Sequence, residues 1–168
     1  RGELEHLATH DSLTGALNRR ALIDACELEL ARCRRNHGVM ALLMIDLDHF
    51  KAINDTHGHL AGDSVLKEIS RRIASQIRSS DTGARFGGDE FAVLLMDCSA
   101  SEAGDIAERL RDATQNLGFL WQGQAFTTSV RLCGGMLVAI PTAMPDDPLT
   151  RRLGSRVGRT VGSISFPS

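Results

Sequence analysis

The 168-residue chain has no tyrosine, one tryptophan and only two lysines, Lys51 and Lys67. Nearly all its positive charge is arginine, a planar fork rather than a point charge. A net charge of −2 leaves no general basic footprint for nucleic acid or an anionic membrane. No apolar run approaches the roughly 20 residues of a spanning helix, and no stretch reads as a signal peptide. Cys26, Cys33, Cys98 and Cys133 include no Cys-x-x-Cys pair. That suits reduced thiols in a cytoplasmic domain better than a disulfide framework or a zinc site. The chain opens on Arg1 rather than Met. It reads as a piece of a larger protein, with room upstream for a sensor or a membrane anchor.

What the chain does have is periodicity, over a length that suits one domain with its own core. Residues 1–10 read as a helical lead-in, with Leu4 and Leu7 at helical spacing. A turn follows at Thr14-Gly15, and Asn18 is placed to cap a helix. That helix spans Ala21 to Arg35, with Leu22, Ala25 and Leu28 at its period, and ends at Asn36-His37-Gly38. Val39 to Ile45 is continuously apolar, which predicts a strand buried on both faces, closed by Asp46-Leu47-Asp48. A short helix then breaks near Gly58 and Gly62, and a longer one runs from Ser64 to Ser80. Gly87-Gly88 predicts a two-residue hairpin with positive φ, after which Asp89 and Glu90 point to opposite faces. A helix from Ser101 to Gln115, capped by Ser101, precedes strands at Ala125–Val130 and Met136–Ile140. This order predicts an α+β fold of ferredoxin-like type, with a mainly antiparallel central sheet and helices packed on it.

The acidic residues at strand ends suggest chemistry. If the strands ending at Asp46 and starting at Asp89 are neighbours, the two carboxylates face each other across one sheet edge. Adjacent carboxylates repel unless a cation lies between them. Hard oxygen ligands suit Mg²⁺ or Mn²⁺, which takes one or two carboxylates and completes its shell with substrate phosphate. A pair of ions about 3.5–4 Å apart would support phosphoryl or nucleotidyl transfer. The plain alternative is two surface acids at strand ends. His57-Gly58-His59 has no third soft ligand nearby in sequence, and His59 reads as structural.

Arg85-Phe86-Gly87-Gly88-Asp89-Glu90-Phe91 resembles the signature of the GGDEF-domain diguanylate cyclases, which join two GTP into cyclic di-GMP and pyrophosphate. Asp11-Ser12-Leu13-Thr14-Gly15-Ala16-Leu17-Asn18-Arg19 resembles that family's opening motif. Asp46 to Asp55 resembles its D-x-D-x-F-K-x-x-N-D, and Gly58 to Asp63 its G-H-x-x-G-D. The resemblance runs from His10 to about Val130. It implies a nucleotidyl-cyclase palm-like sheet and two Mg²⁺ (or Mn²⁺) ions per active site. Asp46, Asp89 and the Leu47 carbonyl would hold these ions, with Glu90 a second-ion contact. Asp89 would be the base for the ribose 3′-OH, with Glu90 beside it in the catalytic set. Asn54 and Asp63 would read guanine, whose N1–H and N2–H₂ offer a donor pair that adenine lacks. Lys51 and the backbone at Phe50 would meet the phosphates, and Gly87-Gly88 would let the nucleotide lie against bare backbone. Arg78 and Asp81, with Arg109, would form an inhibitory site for the product. The family works as an antiparallel homodimer with the reaction at the interface.

Beyond Val130 the sequence departs from the pattern. Arg131 stands where a glycine is expected. The usual last helix, whose basic residues help hold the triphosphate, gives way to the Arg-, Gly- and Ser-rich segment from Arg151 to Arg159. Residues 131–168 are therefore a divergent tail of a single domain spanning 1–168. That leaves an alternative: a catalytically silent receptor for cyclic di-GMP or GTP. A different palm-like nucleotidyl enzyme is a third reading, which the guanine-reading pair disfavours.

Overall fold

The structure, a computed structural model, describes residues 2–139. In chain order the elements are α1 (Gly2–Thr9), α2 (Arg19–Asn36), β1 (Met40–Leu47), α3 (Phe50–His57), α4 (His59–Gln76), β2 (Thr82–Arg85), β3 (Glu90–Met96), α5 (Ala100–Thr114), β4 (Leu117–Trp121), β5 (Gln124–Thr128) and β6 (Val130–Ala139). The first sheet has the order β2-β3-β1-β6 with every pairing antiparallel, and β4-β5 is a separate hairpin. This is the α+β, ferredoxin-like arrangement the element order predicts.

The apolar run of β1 goes to the centre because both its faces find partners. Ala41, Leu43 and Ile45 join Phe91, Val93 and Leu95 beneath α4 and α5. Met40 and Leu42, with Ala92 and Leu94, pack against Leu22, Cys26, Leu30 and Cys33 of α2. Cys26, Cys33 and Cys98 are buried free thiols. Asn18 caps α2 as expected, its side chain accepting from the Ala21 amide. Leu28, in contrast, is 72% exposed; the buried stripe runs through Cys26, Leu30 and Cys33.

Several boundaries differ from the sequence expectation for identifiable reasons. The break before the long helix falls at Gly58 alone, where φ is 87°; Gly62 lies inside α4. That helix ends at Gln76 because Ile77 turns extended, so Arg78 to Asp81 form a turn rather than a last helical coil. The cap of α5 is Ser99, whose hydroxyl accepts from the Glu102 amide while the Glu102 carboxylate accepts from the Ser99 amide. This reciprocal box outcompetes Ser101. β4 is an additional strand, and the predicted strand at 125–130 divides between β5 and β6. The predicted strand from Met136 is the far part of β6; its last residue, Ile140, and the tail to Ser168 lie outside the described residues.

The connection between β2 and β3 is the fold's most constrained loop. It is four residues long, from Phe86 to Asp89, and neither Gly87 nor Gly88 has positive φ. Its shape comes from a clamp. The Phe86 and Gly87 amides donate to the Glu90 carbonyl, at 2.8 and 3.2 Å. Arg85 donates through Nε to the Gly87 and Gly88 carbonyls and through Nη2 to Gly88, at 2.8–3.3 Å. Its Nη1 reaches both oxygens of Asp11 at 3.3 Å. Asp11 in turn accepts from the Thr14 amide and hydroxyl at 2.9 and 2.8 Å. Leu17 bridges Ala84, which covers the edge of β2. From the side of α2, the Arg19 guanidinium sits 4.5 Å over the Phe86 ring.

Burial alone would raise the Asp11 carboxyl; the Thr14 hydrogen bonds and the Arg85 charge outweigh it and hold the pKa below the usual carboxylate value. A carboxyl lowered in the folded state contributes stability above its unfolded pKa and loses that contribution as pH falls through its folded pKa. Asp11→Asn should therefore cost about 1–2 kcal/mol at neutral pH. The cost should shrink as pH drops below about 4. Thermal melts of both proteins across that range test this; parallel curves would show that the carboxylate charge contributes nothing to the clamp.

Candidate active site

The sheet brings the acidic residues of two distant segments to one end. Asp46 is the penultimate residue of β1 and Leu47 its last. Glu90 opens β3 directly opposite Asp46, so these two side chains share a face. Asp89 lies one residue before β3, in the loop, and its carbonyl accepts from the Leu47 amide at 3.2 Å. The Asp89 backbone thus lies beside the end of β1, but the residue facing Asp46 across the ladder is Glu90. A Cβ on Gly87 would meet Glu90 Oε2 at 3.1 Å, whereas one on Gly88 would meet nothing within 4 Å. Gly88 is exposed, so the protein itself has no need of a bare backbone there.

These donors are all oxygen: two carboxylates on neighbouring segments, a third beside them and the chain carbonyls. Among the described residues no group of three or more His, Cys, Asp or Glu could hold a metal ion. Oxygen donors of this kind suit a hard cation such as Mg²⁺. His57 is not part of such a set; its ring stacks on Phe126 at 4.4 Å.

A second group forms where α3 meets α4. Phe50 and Lys51 occupy the first turn of α3, with Lys51 exposed. The N-cap, His49, gives that turn no side-chain hydrogen bond, so its amides remain donors at the positive end of the helix. One turn on, Asn54 packs against Gly62. A Cβ there would come within 1.9 Å of Asn54 Oδ1 and 3.2 Å of Phe50 Cζ. Glycine inside a helix costs about 1 kcal/mol relative to alanine; here it admits Asn54 and Phe50 beside Asp63. Asn54 Oδ1 is buried against Gly62 with no hydrogen-bond partner.

Arg78 and Asp81 are together, but turned on each other. The Asp81 side chain is fully buried and the Arg78 side chain 49% exposed. Asp81 accepts from the amides of Arg78 and Met96 and from the Arg78 guanidinium, which also donates to the Met96 carbonyl at 2.7 Å. Arg109 donates to the Gln76 carbonyl at 2.6 Å, at the same end of α4. This group sits at the far end of β3 from Glu90, about 20 Å along a strand of that length.

Surface cavities lie beside these groups, among them one of about 400 Å³ between α4 and β4. Another of about 280 Å³ separates Thr14–Ala16 from α4, and one of about 340 Å³ lies between α3 and the β4-β5 hairpin. Asp48 lines the last of these, and none of the three is lined by Asp46, Asp89 or Glu90. Sequence reasoning gave no task to Asp11, Thr14, Arg85 or Arg131. Asp11-x-x-Thr14 has the spacing of a side-chain-capped turn and was legible as such. Nothing local marks Arg85 as the partner of a residue 74 positions away.

The comparisons agree with this geometry. The sequence model described as "Diguanylate cyclase, GGDEF domain" matches residues 8–150. The chain is 43% identical over 122 residues to the probable diguanylate cyclase DgcE of Escherichia coli, covering 73% of this chain and 11% of that protein. It is 46% identical over 117 residues to diguanylate cyclase DgcP of Pseudomonas aeruginosa, covering 70% of this chain and 17% of that one. It thus spans less than a fifth of either relative. The crystal structure of the coiled coil and GGDEF domain of DgcB from Caulobacter crescentus, in complex with c-di-GMP, superimposes with a TM-score of 0.78 at 26% identity, over 84% of this chain and 74% of that one. By fold and by sequence, the chain belongs to the GGDEF-domain family of diguanylate cyclases.

Proposed function

We propose that this chain is an active diguanylate cyclase domain, which condenses two GTP into cyclic di-GMP and pyrophosphate. The observation that carries the reading is the arrival of Asp46, Asp89 and Glu90 at one sheet end from segments more than 40 residues apart. Guanine enters between α3 and α4, where the unpartnered Asn54 Oδ1 accepts from its amino group and the Asp63 carboxylate from its N1–H. Losing such buried bonds is what rejects the wrong base. The amides at the start of α3 and Lys51 hold phosphate oxygens. Asp89 takes the proton from the ribose 3′-OH as that oxygen attacks the α-phosphate of the second GTP and pyrophosphate leaves. Divalent cations, Mg²⁺ or Mn²⁺, held by Asp46, Asp89, Glu90 and the Leu47 carbonyl would offset charge at the phosphates and acidify the hydroxyl. The clamp from Asp11 through Arg85 keeps the loop carrying Asp89 in place against β1, sparing it reorganisation during the reaction.

One edge holds one nucleotide, so two copies must face each other, and the competent species is a homodimer. Product inhibition at Arg78 and Arg109 is a further part of the reading. There Asp81 is already committed to Arg78 and Met96, so it acts by aiming Arg78, and direct contact with the product would require those bonds to open.

Three measurements test the proposal. Incubating the chain with GTP and Mg²⁺ should yield cyclic di-GMP, and Asp89→Ala should lower the rate at least 100-fold; equal rates, or GTP binding without product from the unaltered chain, would favour the silent receptor. Gly62→Ala should weaken GTP binding about tenfold or more while leaving ellipticity unchanged, because its methyl displaces Asn54. Unchanged affinity would detach Asn54 from guanine. Activity per molecule should rise with protein concentration in the range where the dimer forms, and a flat dependence would exclude reaction between copies.

A further inference from the structure

Arg131 stands where the resemblance expects glycine, and its surroundings are specific. In the ladder it lies directly opposite Asp46, on the other side of β1 from Glu90. Directly opposed residues of antiparallel strands share a face, so Glu90, Asp46 and Arg131 form a row across three strands at the acidic end of the sheet. The guanidinium is 3.1 Å from Asp48 Oδ1, with 71% of the side chain exposed. Asp48 is itself fixed: its other oxygen accepts from Ser129 Oγ at 3.1 Å, and its amide donates to the Ser129 carbonyl at 3.0 Å. The arginine is therefore held by an anchored carboxylate through one nitrogen, while the fork carries five N–H donors.

An exposed ion pair of this kind adds little to stability, so folding does not account for the residue. Charge does suggest a task. Asp46, Asp48, Asp89 and Glu90 load one rim with negative charge, and Arg85 is already committed to Asp11 and the loop carbonyls. Arg131 is a cation in register with that rim, paired with Asp48 just before α3 begins. A polyanion arriving there needs a bidentate donor to offset the carboxylates, and a guanidinium supplies one.

We propose that Arg131 is a substrate-binding residue that grips the β- and γ-phosphates of the nucleoside triphosphate. The inference rests on the reading of this edge as a GTP site. Asp48 orients the fork, and the phosphate oxygens take the N–H groups that Asp48 leaves.

The test is titration of the full chain with GMP and with a non-hydrolysable GTP analogue in the presence of Mg²⁺. Arg131→Gly and Arg131→Gln should weaken the triphosphate about tenfold or more and leave GMP within twofold, and Arg131→Lys should recover part of the loss. In turnover the same variants should raise KM for GTP more than they lower kcat. Equal weakening of both nucleotides would make the residue structural and overturn the proposal, as would unchanged affinity for both. Failure of the unaltered chain to bind either nucleotide would remove the GTP site itself, and with it this inference. Thermal midpoints of the variants, expected within a few degrees of the parent, separate loss of contact from loss of fold.

Discussion

Arg85 carries the interaction on which the site depends. A loop of Phe, two glycines and an acid has no intrinsic preference for one shape, and the glycines make it costlier to order. The guanidinium removes that freedom by binding the loop's own carbonyls, while its remaining nitrogen is fixed by Asp11. The lead-in segment, 74 residues earlier in the chain, thereby determines where Asp89 stands. Phe86, pinned by Arg19, closes the arrangement from the other face. The opening motif and the signature motif are thus two halves of a single mechanical unit.

This explains what could be read from the residues and what could not. The central strands were legible because seven successive apolar residues have one low-energy destination, the middle of a covered sheet. The Asn18 cap was legible because its partner lies three residues on. Ser99 was overlooked in favour of Ser101, since the deciding contact is the return bond from Glu102 rather than the hydroxyl alone. The loop was misjudged for a similar reason: Gly-Gly suggests positive φ, yet these glycines sit at ordinary φ. Residues whose roles depend on partners close in sequence could be assigned early. The bonds of Arg85 to Asp11, of Arg131 to Asp48 and of Asp81 to the Met96 amide join residues distant in sequence, and no local pattern announces them.

The sheet also separates tasks. β3 is buried along its interior and bears Glu90 at one end and Met96 at the other. Met96 is held through its amide by Asp81 and through its carbonyl by Arg78. The polar group after α4 is therefore attached to the same rigid strand as the acidic edge, without touching it. A buried strand transmits displacement along its length better than a loop does, so the two ends are mechanically joined while remaining chemically independent.

Charge placement along the edge follows from one constraint. Carboxylates brought together by strand pairing must be compensated, and the protein can do so internally or leave the task to what binds. Asp11 is compensated internally by Arg85 and the Thr14 amide and hydroxyl, and Asp81 by Arg78 and two backbone amides. At the rim from Asp46 to Glu90 the strand pairing gathers carboxylates from two segments, with Arg131, largely exposed, held beside them through Asp48. Asp46, Asp89 and Glu90 instead lie half-buried together at the sheet end, beside the Gly87-Gly88 backbone. That grouping of acids from two segments at one sheet end is what the proposed chemistry rests on.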